Sequence, residues 1–385
     1  MSSWSGSVGE WSATTVGHLA ENFDSVRRPV KSSDRVAGPY PYYGASGVVD
    51  HVDGFLLDGE YLLVSEDGEN LRSRSLPIAY LTDGRFWPNN HAHVLRGREP
   101  FDTRFLAYAI ESTDLTGYLT GSAQPKLTKS ALDGLVLSVP PADDRRAIAE
   151  VLGVLDDKIA SNTRLAATAE GLAAALFDHA VSQGSRSVVV GDVSTLVSRG
   201  IAPSYSDEID GTTVVLGQRC VRTPRVELGP ARRTEDRKLK SDRILQFGDV
   251  LVNSTGMGSL GRVARWLGEG RATVDSHISI VRLDPHKVDP TCAGHSLLAM
   301  EDAIESLAEG STGQTELPRA SLAGLRIRVP SSEDASLGKR LDSLALLGLE
   351  HRRENSRLAA MRDTLLPQLM SGKLRVREAA EMAGL

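Results

Sequence analysis

The chain has 385 residues, 41% of them apolar and 24% charged, with a net charge of −6. That is the make-up of an ordinary soluble globular protein with room for two or three cores. The acidic balance argues against a simple polyanion binder, no apolar run nears the length that spans a bilayer, and Cys220 and Cys292 lack metal-ligand or disulfide spacing, so a reducing cytoplasm is expected.

The N-terminal MSSWSGSVGEWS is polar and lacks the basic start and apolar core of a secretion signal. PYYGASG and SEDGEN read as turn-rich loops, and GEYLLVS and HAHVLRG as short apolar strands. FDTRFLAYAIES has helical amphipathicity, and LDGLVLSVPP reads as a strand stopped by two prolines. From Asp143 to about Ala180 there is no proline and helix formers dominate, with Asp143 and Asp144 placed for a helix start. Ile148, Leu152, Leu155, Ile159, Asn162, Ala166, Ala169, Ala173 and Leu176 follow a 4,3 spacing, a heptad seam with one polar member, Asn162. About 37 residues of helix would be about 55 Å long.

The plan then repeats. Gln124 to Pro140 lies over Gln314 to Pro330 with seven of 17 positions identical. GEYLLVS matches GDVLVNS at an offset of 189, NHAHVLR lies over SHISIVR with His91 on His277, and NTRLAA answers NSRLAA. A duplicated unit of this length is a whole domain plus a helix, too long for a solenoid repeat. The second helix, from about Glu333 to Met370, has a poorer seam: Leu337, Leu341, Leu344, Leu358, Leu365 and Leu369 fit, while Gly348, His351 and Asn355 interrupt it. The small residues of the first helix are suited to face such positions. Two duplicated helices of matching length are expected to pair, antiparallel if the duplication follows a pseudo-two-fold.

No catalytic constellation emerges. GMGSLG, Gly256 to Gly261, has the spacing of a dinucleotide-binding loop, with Asp275 19 residues beyond Gly256. The fingerprint requires a helix after the glycines, and RVARWL is short and strand-like, so a turn between strands fits better. A nucleotide-binding oxidoreductase built on GMGSLG is the alternative from another class; a coiled-coil scaffold whose globular ends bind protein is a third. His91 and His93 could ligate a metal, but no third ligand follows at useful spacing. Glu66/Asp67 and Asp156/Asp157 read equally as solvated pairs. Nucleophile-elbow, P-loop and amino-methyltransferase motifs are missing. Between Arg219 and Arg243 nine basic residues face four acidic ones, a solvated loop or a phosphate-contacting surface.

QPKLTKSALDGLVLSVPPADDRRAIAEVLGVLDDKIASN resembles the specificity (S) subunit of type I restriction–modification systems, and LLPQLMSGKLRV resembles the usual end of that family's second helix. PYYGASGVVDHVDGFLLDGEYLLVSEDG with FWPNNHAHVLRG resembles one class of the family's target-recognition domain; DVLVNSTGMGSLGRVA, VDSHISIVRL and GSTGQTELP resemble another. The likeness covers nearly the whole chain. Asp144 stands where the family usually has glutamate, and Asp143 is atypical; both suit a helix start.

The resemblance implies an α+β fold. Two mixed α/β target-recognition domains, residues 1–142 and 183–332, are each followed by a long helix, 143–182 and 333–385, and the helices pair as an antiparallel coiled coil with pseudo-two-fold symmetry. It implies a non-catalytic, cytoplasmic DNA-recognition subunit in phage defence that reads a bipartite site. The expected partners are double-stranded DNA, two methyltransferase subunits and, where present, restriction subunits. S-adenosylmethionine and ATP belong to those partners, and neither a metal nor a membrane is expected. A specificity module of another phage-defence methyltransferase system is the near alternative. The candidate DNA contacts are Tyr42, Tyr43, Ser65, Glu66, Asn89, Asn90, His91 and Lys126 in the first domain, and Arg222, Arg225, Asn253, Ser254, Thr255, His277 and Gln314 in the second.

Overall fold

The short apolar runs of the sequence fold as central strands, buried on both faces as sheet interiors require. The structure, a computed structural model, describes residues 10–236, 239–310, 315–331 and 335–384. It divides into two compact units, Met1–Ser161 with Glu354–Leu385, and Asn162–Arg353.

In the first unit the strands are Ser12–Thr15 (β1), Ala20–Asn22 (β2), Ala37–Gly44 (β3), Gly47–Val52 (β4), Leu57–Asp58 (β5), Tyr61–Ser65 (β6), Ala79–Thr82 (β7), Arg85–Pro88 (β8), Ala92–Gly97 (β9), Leu119–Thr120 (β10), Lys126–Leu127 (β11) and Val136–Val139 (β12). They form two four-stranded sheets, β2-β9-β6-β7 and β4-β3-β8-β5, and the pairs β1-β12 and β10-β11. A helix, Asp102–Glu111, covers the first sheet. PYYGASG, expected as a loop, is instead the end of β3 and the turn into β4. Its tyrosines alternate across the strand, and a strand accepts the flanking glycines at its end.

The second unit repeats this plan with Ser185–Val189 (β13), Ser194–Arg199 (β14), Tyr205–Ser206 (β15), Thr212–Leu216 (β16), Val221–Arg222 (β17), Arg225–Val226 (β18), Arg232–Glu235 (β19), Val250–Asn253 (β20), Val263–Arg265 (β21), Ala272–Val274 (β22), Ile278–Leu283 (β23) and Arg326–Pro330 (β24). Sheet β14-β23-β20-β21 answers β2-β9-β6-β7, and β13-β24 answers β1-β12. The other sheets share a parallel pair, β3 with β8 and β16 with β22, but differ in their outer strands. GMGSLG is the turn from β20 into the antiparallel β21, so the helix that a dinucleotide site needs does not follow it.

Strand pairing corrects the sequence alignment by one residue. Leu62 pairs with Leu95 and Ser65 with Ala92; Val250 pairs with Val281 and Asn253 with Ile278. With His91 set on His277, Asn253 is the equivalent of Ser65, Ser254 of Glu66 and Thr255 of Asp67. Matching the turn glycines Gly59 and Gly248 slips the strand by one, which turns every side chain to the other face.

Ala142–Gln183 is one helix and Ala335–Met370 another. In the first unit Ile148, Leu152 and Leu155 share a core with Phe105, Leu106, Leu365 and Leu369, with Leu358 packed against it. Asn355 donates Nδ2 to the Ile159 carbonyl at 3.1 Å and Arg362 reaches Asp156, so the helix segments there run antiparallel. In the second unit Phe177 and Ala173 pack with Leu337 and Leu341, with Leu176 and Leu344 at the edge. The seam thus passes from Ala173 to Phe177 rather than to Leu176. Asn162, Ala166 and Ala169 are buried on that face. Gly348, read as an interruption, is buried, and a Cβ there would lie 3.6 Å from the Ala166 carbonyl. Beyond the second helix, Val376–Ala383 forms a further short helix whose Ala379 and Ala380 enter the first unit's core. No helix among the described residues is long and apolar enough to cross a membrane.

Candidate nucleic-acid interface

In each unit a polar corner forms where the chain leaves one central strand, approaches its neighbour and is crossed by a short segment from the loop that the sequence repeats. In the first, Glu66 N donates to His91 O at 2.9 Å, and Leu127 N to Glu66 O at 2.8 Å. In the second, Ser254 N donates to His277 O at 2.9 Å, and Leu317 N to Ser254 O at 2.8 Å. The turn before each histidine is closed the same way: His91 N donates to Asn89 Oδ1 at 2.7 Å, His277 N to Asp275 Oδ1 at 2.9 Å. Asn and Asp serve equally in such a turn because only the carbonyl-like oxygen is used.

Each histidine ring is then held by the next residue of the corner. His91 Nδ1 lies 2.9 Å from Asp67 Oδ2, and His277 Nδ1 lies 2.8 Å from Thr255 Oγ1. Both rings are exposed. Asn90 is exposed beside His91. Lys126 is half-exposed, its Nζ 3.0 Å from Glu66 Oε1.

Below the rings the corners differ. In the first, Asp24, Glu66 and His93 bring three potential metal-ligating atoms within 4.8 Å of one another. Arg27 lies 2.5 Å from Glu66 and 3.2 Å from Asp24, and Lys126 adds a second cation. His93 Nδ1 faces Asp24 at 2.6 Å and Nε2 faces the Leu127 carbonyl at 2.8 Å. Both carboxylates and both ring nitrogens are therefore engaged, and the cluster is a closed ion-pair network rather than a metal centre. Burial pushes the Glu66 carboxyl up, but hydrogen bonds from Arg27 and Lys126 and the charge of His93 bring it below the usual range. Asp24 is lowered in the same way, His93 and Arg27 outweighing burial. In the second corner the equivalent of Glu66 is Ser254, whose Oγ meets Ser279 Oγ at 2.6 Å, and Arg199 pairs with Glu316 at 2.7 Å.

The remaining expected contacts divide by burial. Tyr42 is buried, its hydroxyl accepting from Val30 N at 2.9 Å, with Arg35 over its ring. Ser65 is buried and donates to the Ala45 carbonyl. Asn253 and Ser254 are fully buried, Asn253 Nδ2 donating to Gln218 O at 3.1 Å. Asn89 is buried and spends its oxygen on the His91 turn. Ser65, Asn89, Asn253 and Ser254 are thus buried within the corners, and Tyr42 is buried beside Val30 and Arg35. Tyr43 is half-buried, stacked on Tyr80 with centroids 6.0 Å apart.

Arg225 lies 3.8 Å from Glu170 of the long helix and 3.6 Å from Glu227, and Arg222 lies 3.9 Å from Glu227. The hairpin β17-β18 thus sets its arginines beside acidic neighbours. Gln314, like Arg237 and Lys238 of the basic run, lies outside the described residues. The sequence reading missed Asp67, Arg27, Gln218 and Asp275 as parts of the corners. An available signal was the repeat of an Asx residue two places before each histidine.

Residues 9–170 match the family model of the type I restriction modification DNA specificity domain. A chain of Haemophilus influenzae described as a type I restriction enzyme specificity subunit is 37% identical over 151 residues, 39% of this chain and 38% of that relative. The specificity subunit of the type I restriction enzyme EcoprrI of Escherichia coli is 27% identical over 117 residues, 30% of this chain and 28% of its own. The matched stretches thus span about two fifths and under a third of those relatives. Among solved structures, the S subunit of a type I restriction–modification system from M. genitalium superposes with a TM-score of 0.64 at 16% identity, over 95% of this chain and 97% of that one. This shared fold holds along nearly the whole chain.

Proposed function

We propose that this chain is a specificity subunit of a type I restriction–modification system, the DNA-reading subunit of such a complex, and that it recognises a two-part site; the family-model match over residues 9–170 and the 37% identical relative support this reading. Residues 1–142 and 183–332 are the two readers, and the helical stretches 143–182 and 333–385 set their spacing and dock two methyltransferase subunits. Restriction subunits join where the system has them. The S-adenosylmethionine and ATP chemistry belongs to those partners, and this chain supplies none.

The observation that supports this reading best is the repeated corner. The same backbone hydrogen bonds recur around His91 and His277, while the polar side chains on that scaffold differ. A duplicated frame carrying different hydrogen-bonding groups suits two different half-sites. The acidic overall charge is compatible, because a subunit that only completes a clamp does not need to hold the duplex alone.

Purified protein incubated with labelled S-adenosylmethionine and DNA tests the assignment. The chain alone is expected to transfer no methyl groups, and adding the methyltransferase subunits of its system is expected to produce sequence-specific adenine methylation. Methyl transfer by the chain alone, or methylation by the partners without sequence preference, would overturn it.

A further inference from the structure

The two exposed histidines sit at equivalent places but are held by chemically opposite neighbours. Asp67 presents a carboxylate to His91 Nδ1, with its oxygens at 2.9 and 3.1 Å. A carboxylate only accepts, so Nδ1 carries the hydrogen and, in the neutral ring, Nε2 keeps a lone pair.

At His277 a chain of hydrogen bonds runs the other way. Gln218 Nε2 lies 2.9 Å from the Thr255 main-chain oxygen. A carbonyl oxygen can only accept, so the amide nitrogen of Gln218 must face it. The same nitrogen meets Thr255 Oγ1. Thr255 Oγ1 therefore accepts from Gln218, and its own hydrogen is free for His277 Nδ1 at 2.8 Å. Oγ1 has a second lone pair, but its hydrogen has no partner among the described residues other than Nδ1, so the arrangement that uses that hydrogen has Nδ1 accepting and Nε2 carrying the hydrogen.

Gly256, the first glycine of GMGSLG, makes this possible. At φ +98° its missing side chain leaves room for the Gln218 amide, whose atoms would lie 2.7 and 2.9 Å from a Cβ. Neither Nε2 has a hydrogen-bond partner among the described residues, and both rings are exposed.

We infer that His91 and His277 are specificity-determining residues locked in opposite tautomers, so that the first reader presents an Nε2 acceptor and the second an Nε2–H donor to base edges. This rests on the reading of the chain as a two-part DNA reader and sharpens it. In the major groove an acceptor selects the exocyclic amino group of adenine or cytosine. A donor selects purine N7, guanine O6 or thymine O4. The same backbone corner thus reads complementary features by exchanging Asp67 for Thr255.

Nitrogen NMR of the protein labelled at histidine, with peaks assigned through His91→Ala and His277→Ala, decides the tautomers without DNA. His277 is expected to show a protonated Nε2 and His91 a protonated Nδ1; Thr255→Val is expected to release His277 into a tautomer mixture while leaving His91 unchanged. The same tautomer at both positions would overturn the inference. Duplexes with single-atom base analogues, bound to the complex with its methyltransferase subunits, then test the readout. Loss of one exocyclic amino group in the first half-site is expected to weaken wild-type binding about tenfold or more and His91→Ala binding little. Loss of one N7 or carbonyl acceptor in the second half-site should do the same for wild type against His277→Ala. Equal analogue sensitivity in wild type and variants would overturn the base assignment. A complex with no sequence preference at all would overturn the functional reading and its base contacts together, while the nitrogen shifts still decide the tautomers.

Discussion

Arg362 Nη1 lies 2.9 Å from Asp156 Oδ1, joining the second long helix, Ala335–Met370, to the first part of the central helix, Ala142–Gln183. The second oxygen of Asp156 accepts from the buried Tyr108 hydroxyl at 2.6 Å, and burial together with that carboxylate pushes the tyrosine's ionisation well above its usual value. One carboxylate therefore ties two long helices and the domain helix Asp102–Glu111. Asp156→Ala strands a buried hydroxyl and is expected to cost about 1–3 kcal/mol. Asp156→Asn keeps an acceptor for Tyr108 and is expected to cost less. Urea unfolding of the two variants measures the difference; equal losses would place the effect in the charge and not in the hydroxyl.

The seam of the second unit can be tested by truncation. Leu341 is fully buried with Phe177 and Ala173, whereas Leu172 is 48% exposed. Leu341→Ala is expected to destabilise by about 2–5 kcal/mol and Leu172→Ala by less than about 0.5 kcal/mol, measured by thermal or chemical unfolding. A comparable loss from Leu172→Ala would mean that the buried face is not the one through Ala173 and Phe177.

Most of the architecture was legible because duplication made the sequence its own alignment. The strands read from GEYLLVS, HAHVLRG and LDGLVLSVPP, and both long helices, follow from apolar runs and helix formers. The one-residue slip at Ser65 and Ser254 was not legible: matching the turn glycines Gly59 and Gly248 is the natural alignment, and only strand pairing reveals the offset. The corner chemistry was half legible. His91 and His277 stood out, but Asp67 read as a solvated acid, and Gln218 lies 37 residues from its partner Thr255. Contacts of that separation leave no periodic trace in one sequence.

Acid sensitivity follows from His295. Burial first, and then the nearby Arg265, lower its value from 6.5 to about 4, with Asp342 and Asp289 pulling the other way. Phe177 stacks on its ring at 5.8 Å. Between those values the unfolded chain binds a proton that the folded one refuses, so stability falls as pH drops from about 6.5 towards about 4 and this contribution is constant above and below. The full effect is roughly 3 kcal/mol. His295→Gln is expected to flatten that part of the pH–stability curve. An unchanged slope would mean that His295 protonates in the folded protein without penalty.

If the central helix spaces the readers, its length sets the gap between half-sites. Four helix formers inserted after Ala160 add about 6 Å, against about 3.4 Å per base pair of DNA. The preferred gap is expected to lengthen by one or two base pairs with both half-sites unchanged. Altered half-sites with an unchanged gap would show that the helix is not the ruler.

Whether one chain reads two separate half-sites is decided by methylation mapping over random-sequence DNA. The wild-type chain, assembled with its methyltransferase subunits, is expected to mark adenines only where two different short sequences flank a gap of fixed length and free composition. His91→Ala should relax one of those sequences and His277→Ala the other. A single uninterrupted recognition sequence, or both variants relaxing the same half, would mean that the two units do not read separate half-sites.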